Sequence, residues 1–343
     1  MKILVIGAGS IGRRHISNLL ALGHEAHAYS HRFASGMAHA LPEGARLVSD
    51  LGALQAERWD GVVVANRTDQ HLDTAMLALQ NCTALFIEKP IAPSLQGLAD
   101  FQDACQAKQA VVEIGFMMRL HPSLVWIKQY IESGQLGQIM HLHASLGQWL
   151  PDWRPGTDHR QGFGAFYRYG GGVILELIHE LDLAQWMLGS VIDVSAMHRQ
   201  VDALEIQTEA IAEMTLRTAD GALAHVHLDY VRPGFGRTLE IVGTQGVLQW
   251  DYNRGSVVLI QANLTTEVMH QDPPHFERNT LFKNHMEHFL RRIADPKLAA
   301  ISSLDNGVQA LRVALAAHLS ARQRRHVRPS EVPDTPFLED AMQ

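Results

Sequence analysis

The sequence predicts an α/β protein, with a doubly wound parallel sheet at the N-terminal end followed by a region of antiparallel strands. Three observations carry that prediction. A strand-like run leads through a glycine-rich turn directly into a helical pattern. Short apolar runs then alternate with helix-like stretches up to residue 120. Beyond that point the strand-like runs lengthen, with turn pairs such as Asp220-Gly221 between them, as hairpins require.

Lys2–Ile6 reads as a short buried strand and runs into Gly7-Ala8-Gly9-Ser10-Ile11-Gly12. The helix after it has Ile11, Ile16, Leu19 and Leu20 as apolar positions and Gly23 as its stop. Glu25–Tyr29 reads as the second strand, with further strands at 61–65, Ala84–Ile87 and 111–115 and helices at 69–80 and 94–108. One more helix is expected at 123–133, broken by Gly134 and Gly137. Strands follow at 139–146, Val191–Arg199, 210–218, 222–231, 238–242 and 246–250, and two helices at 279–293 and 303–322. The tail beyond Arg328 carries Pro329, Pro333 and Pro336 and reads as an irregular surface segment. The expected division is a dinucleotide-type domain over 1–120 and a second domain over 121–343.

The composition is 46% hydrophobic and 19% charged, enough to bury a sizeable core, and the net charge of −7 offers no field to gather nucleic acid or an anionic membrane. With Cys82 and Cys105 as the two cysteines, neither a disulfide framework nor a cysteine-based zinc site is indicated. The 20 histidines form no HExxH or comparable ligand spacing, so a metal site has no support. The first residues lack the h-region and cleavage site of a signal peptide, and no run reaches the roughly 18 apolar residues that span a bilayer. A cytoplasmic protein is the resulting expectation.

The glycine turn indicates a nicotinamide cofactor. Gly7 permits a tight turn, Gly9 keeps side chain away from a pyrophosphate, and Gly12 lets helix and strand approach. Ser10 and Ile11 lie in the first helical turn, where unpaired N–H groups and the positive dipole end face the phosphates. The plainer alternative is a strand–turn–helix whose glycines serve packing alone. After the second strand an NAD site usually places an acid that binds the ribose 2′-hydroxyl. This chain has Ser30-His31-Arg32 there, and a hydroxyl with a guanidinium suits a 2′-phosphate, so the expectation is NAD(P), leaning to NADP.

A lysine at the carboxyl end of a parallel strand, as in Glu88-Lys89-Pro90, sits where ligands bind in open α/β sheets, although such a lysine alone is more often a solvated charge. With GAGSIG, an Ala65-Asn66 turn, His71, Glu88-Lys89-Pro90, and Gly170-Gly171-Gly172 before Glu176 and His179, the chain resembles the glucose–fructose oxidoreductase/inositol dehydrogenase (Gfo/Idh/MocA) family from Lys2 to Val327. The resemblance implies an N-terminal Rossmann parallel sheet, a C-terminal α+β domain with an open, mostly antiparallel sheet, and an active site in the cleft between them. It also implies that Asn66, His71, Glu88 and Lys89 serve the cofactor side, that Lys89 contacts the reacting hydroxyl, and that His179 is the acid/base. The commoner pattern has an aspartate four residues before the histidine. Here position 175 is Leu, so Glu176 and Asp182 compete to orient His179, either spacing placing an acid and the imidazole on one helix face.

Hydroxyl oxidation needs a proton acceptor with a pKa near 7, and imidazole at about 6.5 meets this. A lysine can stabilise the developing charge on oxygen. His179 is flanked by Leu177, Ile178 and Leu181, so a packed core histidine is the competing reading. On the substrate side Arg119, Trp149, Trp153, Arg160, Tyr167 and His179 are candidates, with Asp152, Asp158, His159 and Arg168 in the same loop. Both tryptophans can equally anchor that loop to the core. The reading is an NAD(P)-dependent oxidoreductase acting on a secondary alcohol of a sugar, cyclitol or acidic or nucleotide sugar. The alternatives are an imine or biliverdin-type reductase on the same scaffold and a non-catalytic dinucleotide sensor. An apolar open face on the second sheet would need cover, which implies a homodimer or homotetramer.

Overall fold

The computed structural model describes residues 1–31, 41–50, 52, 54, 57–154, 156–261 and 263–338; Arg32 lies outside them. In chain order the main elements begin with β1 (Lys2–Ile6), α1 (Ser10–Ala21), β2 (Glu25–Tyr29), β3 (Arg46–Leu47), β4 (Gly61–Val64) and α2 (His71–Leu79). Then come β5 (Ala84–Ile87), α3 (Leu98–Ala107), β6 (Val111–Ile114), α4 (Pro122–Glu132), β7 (Ile139–Gly147), α5 (Val173–Glu176) and α6 (His179–Leu188). The rest are β8 (Val191–Arg199), β9 (Ile211–Thr218), β10 (Leu223–Asp229), β11 (Gly236–Gly243), β12 (Gly246–Asp251), β13 (Ser256–Gln261), β14 (Thr266–Gln271), α7 (Arg278–Ala294) and α8 (Leu304–Gln323). The chain forms two compact units, Met1–Leu120 with Glu277–Val308, and His121–Phe276 with Gln309–Gln343.

The first unit is built on a six-stranded parallel sheet in the order β3-β2-β1-β4-β5-β6. Past Lys2 at the start of β1, its central strands β1, β4 and β5 are apolar and buried, as strands covered on both faces must be. Strand order reverses between β1 and β4, and the crevice outside their carboxyl ends is where such sheets bind ligands. The segment 277–308, grouped with the second domain on the sequence, packs into this unit instead. The reason is a buried charge. Glu113 on β6 is 0% exposed, and its carboxylate accepts hydrogen bonds from Arg292 Nη1 (2.8 Å), His285 Nε2 (3.1 Å) and the Ser302 backbone N–H (2.8 Å). A strand carrying an ion into the core needs those partners.

The second unit carries an eight-stranded sheet in the order β14-β13-β12-β11-β7-β10-β9-β8. All pairings are antiparallel except β7 with β10. Period-2 alternation sorts its faces. Leu142, Ala144, Leu146, Met214, Val226, Leu239, Ile241 and Trp250 form the buried face. The other face is mixed rather than apolar: His143, Glu213, His225, His227, Thr238 and Glu240 occupy its centre, with Met197, Leu223 and Val268 exposed on it. Strands β3, β13 and β14 were not anticipated; β3 has two residues, and β14 is an edge strand whose residues are largely exposed. The tail also departs from a plain surface segment. Val327 pairs with Val194, and Val332, Phe337 and Leu338 are buried.

Candidate active site

The glycine turn leaves β1 with Gly7 at φ 104°, a region that strains residues with a Cβ. A Cβ there would lie 2.4 Å from the Ala65 carbonyl oxygen and the Asn66 nitrogen, and one at Gly12 would lie 1.8 Å from the Gly7 oxygen. At Gly9 nothing stands within 4 Å of the corresponding position. Gly9 and Ser10 are exposed, Gly9 caps α1 without a side-chain bond, and the first turn holds no acid. The turn therefore offers open space and bare N–H donors at a positive helix end.

Asn66 follows β4 at the switch point. Its Nδ2 donates to Thr74 Oγ1 (2.8 Å), while its Oδ1 is buried with no hydrogen-bond partner among the described residues. His71 is buried, with Nδ1 2.9 Å from the Pro90 carbonyl oxygen and Nε2 3.1 Å from that of Asn66. Burial holds its pKa below the ordinary value, so we read a neutral ring that donates to Pro90, the shorter contact. The Glu88 carboxylate turns inward: His15 Nε2–H donates to Oε1 at 2.7 Å. Burial opposes its charge, but the His15 bond and the nearby positive charge of Lys89 hold the carboxyl below its ordinary value, so it is ionised. Lys89 is half-buried just beyond β5. Ser30 and His31 follow β2, with His31 Nδ1 3.3 Å from the Tyr29 hydroxyl. Arg119 is buried and donates through Nη1 to the Ile301 carbonyl and Asn306 Oδ1, both at 3.1 Å.

A dinucleotide fits the residues present in the first unit. An open glycine turn at the N-terminus of a 12-residue helix, and an unsatisfied buried acceptor at Asn66, are the features its phosphates and hydroxyl groups require.

In the second unit the triple glycine allows close approach. A Cβ at Gly171 would meet the Gly164 oxygen at 2.5 Å, and Gly172, at φ 101°, faces Glu209 Oε2 at 2.4 Å from its Cβ position. Glu209 is fully buried and accepts from the Ile174 N–H (2.9 Å); burial pushes its pKa up to about 7. Tyr167 is buried, and its hydroxyl accepts the Glu209 backbone N–H at 3.0 Å. Glu176 and His179 do not share a regular helix, contrary to the spacing argument. Glu176 ends α5, Leu177 breaks the helical path at φ −99°, ψ 24°, and His179 begins α6. The Tyr230 hydroxyl donates to Glu176 Oε2 at 2.6 Å. Asp182 lies on the same helix as His179, and both are buried.

Short 3₁₀ turns follow β7 at Leu150–Asp152, His159–Gln161, Phe163–Ala165 and Tyr167–Tyr169. Trp153 donates from Nε1 to the Gln148 carbonyl (3.2 Å) and packs edge-on against Tyr230, which ties it to the loop's own base. Trp149 is half-buried. Arg160 is exposed and paired with Asp158 and Glu205, each at 2.9 Å. His15, Glu209 and Tyr230 were missed on the sequence. For His15 a signal existed: it shares the apolar stripe of α1 with Gly12, Ile16 and Leu19, all buried.

Residues 1–116 match the family described as "Oxidoreductase family, NAD-binding Rossmann fold", and residues 124–249 the "GFO/IDH/MocA C-terminal domain". Inositol 2-dehydrogenase 2 of Paenarthrobacter aurescens (strain TC1) is 31% identical over 263 residues, covering 72% of this chain and 74% of that protein. The inositol 2-dehydrogenase/D-chiro-inositol 3-dehydrogenase of Lacticaseibacillus casei is 27% identical, with 78% of each chain covered. The crystal structure of a myo-inositol dehydrogenase from Corynebacterium glutamicum ATCC 13032 superimposes with TM-score 0.77 at 24% identity, covering 96% of this chain and 98% of that one, a likeness of fold. No helix among the described residues is long and apolar enough to cross a membrane. The glycine turn, the parallel sheet in its reversing order and these matches together establish that the chain belongs to the Gfo/Idh/MocA family of NAD-binding oxidoreductases.

Proposed function

We propose that this protein oxidises a secondary alcohol of a cyclitol or sugar, or reduces the corresponding ketone. The observation that carries the proposal is Lys89. It is half-buried at the carboxyl end of β5, in the same unit as the open glycine turn, and Glu88 beside it is fixed in the core. The family membership and the inositol dehydrogenases among the relatives support a polyhydroxylated ring as substrate.

In this reading Gly7, Gly9, Ser10, Ile11 and Gly12 hold the pyrophosphate, and Asn66 Oδ1 takes a hydroxyl or amide donor of the nucleotide. The cofactor, when bound, supplies or accepts the hydride. Lys89 fixes the hydroxyl and stabilises negative charge on its oxygen, and His179 takes or returns the proton. Asp182, on the same helix, is assigned to orient the imidazole, because Glu176 lies on a separate helix and accepts the Tyr230 hydroxyl. His71, Glu88 and Arg119 are assigned to support the scaffold, since each bonds acceptors or donors within its own unit.

The test is to follow the absorbance of reduced nicotinamide while offering cyclitols, uronates and nucleotide sugars, with Lys89→Ala alongside. We expect turnover on at least one ring polyol, and a fall in kcat of about 10² or more for the variant with nucleotide affinity kept. Nucleotide binding without turnover on any of these favours a sensor, and unchanged turnover removes Lys89 from the chemistry. For the cofactor we read NADP, on the Ser30-His31-Arg32 segment that lacks an acid. Arg32→Asp is expected to swing preference towards NAD by about tenfold or more; an unchanged NADP/NAD ratio of kcat/KM overturns that reading.

A further inference from the structure

Between the glycine turn and Lys89 lies a histidine that the proposed chemistry does not use. His15 stands on α1 one helical turn after Gly12 and is 1% exposed, so it touches neither substrate nor cofactor. The edges of Phe86 (ring centroids 5.2 Å apart) and Phe282 (6.2 Å) hold its ring in one orientation. Nε2 meets Glu88 Oε1 at 2.7 Å, and the other oxygen, Oε2, accepts the Lys89 backbone N–H at 3.3 Å. Gly115 clears the space behind that carboxylate: a Cβ there would lie 2.9 Å from Oε2. A continuous run of contacts thus leads from the helix that carries the glycine turn, through imidazole and carboxylate, to the main chain of Lys89.

Stability does not account for this pair. Removing a hydrogen-bonded His–Glu pair from water opposes folding, and apolar side chains of similar volume usually serve a core as well or better. What the pair supplies is a directional link between α1 and the turn after β5 that packing alone would leave to slide. Resting on the reading of Lys89 given above, we propose that His15 is a positioning residue that acts through Glu88, so that a nucleotide seated on the N-terminus of α1 also sets the place of Lys89.

Three variants test this: His15→Leu removes the donor and keeps the bulk, His15→Gln retains an amide N–H of similar reach, and Glu88→Gln neutralises the acceptor. With myo-inositol, or the best polyol found, His15→Leu is expected to lower kcat by at least about tenfold while the NAD(P)H dissociation constant, read by fluorescence, stays within about threefold. His15→Gln should lie within about threefold of wild type in kcat, Glu88→Gln should repeat the leucine variant, and the His15→Leu/Glu88→Gln double variant should be no worse than either single one. A readout independent of turnover is hydrogen exchange of the peptide around residue 89. Adding NAD(P)H should slow it by about tenfold in wild type and His15→Gln, with no slowing in His15→Leu. Were His15 merely part of the packing, exchange would rise equally with and without nucleotide and the two substitutions would add. Either result overturns the proposal, as does a wild-type kcat in His15→Leu. If that variant does not fold, the same exchange comparison on Glu88→Gln decides. Lys89→Ala separates the two levels: if it turns over normally, the assignment of Lys89 fails; if it is crippled while His15→Leu is normal, only the link fails.

Discussion

Glu209 and His318 lie with their nearest polar atoms 3.8 Å apart, both fully buried, and burial pushes them in opposite directions, the carboxyl up to about 7 and the imidazole down to about 3. Both are therefore uncharged at mildly acidic pH. For Glu209 the folded value is above the unfolded 4.5, so the stability linked to its protonated form is full below pH 4.5 and is lost as pH rises through about 7. The shift corresponds to about 3 kcal/mol at most. Glu209→Gln should abolish that dependence: in urea unfolding, wild type minus variant should fall by up to this amount between pH 5 and pH 8, and an equal difference at both pH values excludes Glu209 as the titrating group. Lys89 was legible in the sequence because a strand end followed by proline marks its place. Glu209 was not, because what surrounds it, Gly172, Tyr167, Ile174 and His318, comes from distant parts of the chain.

At the level of elements, the β1–turn–α1 unit was readable because its glycines answer to local sterics. Those sterics separate two roles that a sequence motif merges. Gly12→Ala puts a methyl group against the Gly7 carbonyl, so α1 has to move away from β1; stability should drop by about 2 kcal/mol and nucleotide binding with it. Gly9→Ala meets nothing in the protein, so its melting temperature should hold while nucleotide affinity falls by about tenfold or more. Calorimetry and fluorescence titration on the pair check this, and equal behaviour of the two variants contradicts the division. The break between α5 and α6 was not readable. Residues 173–178 contain no glycine or proline and are apolar except for Glu176, and the interruption at Leu177 coincides with long-range ties of the neighbouring segment, Ile174 to Glu209 and Glu176 to Tyr230. The loop that carries Trp149, Trp153 and Arg160 has its 3₁₀ turns held by contacts such as Trp153 to the Gln148 carbonyl and His159 to the Leu204 carbonyl.

For the whole molecule, fold class followed from alternation and turn chemistry, whereas the pairing of β7 with β10 and the mixed open face needed the register. Met197 is 78% exposed and Val268 62% exposed on that face, amid histidines and carboxylates. We propose that a second copy covers it, with polar groups setting alignment and these apolar side chains supplying burial. A Met197→Asp/Val268→Asp variant should sediment as a monomer with unchanged circular dichroism. A wild-type protein that is already monomeric at micromolar concentration ends the proposal.

The first unit is interrupted, leaving off at Leu120 and resuming at Glu277. As the chain emerges from the ribosome, its six parallel strands are complete about half the chain before His285 and Arg292 arrive to hydrogen-bond Glu113. Until then that carboxylate has no charged partner from α7, and the nascent sheet has to keep it wet or protonated. The nucleotide-binding unit thus opens the chain yet cannot be completed before Val308, and the second unit waits in turn for Gln309–Gln343.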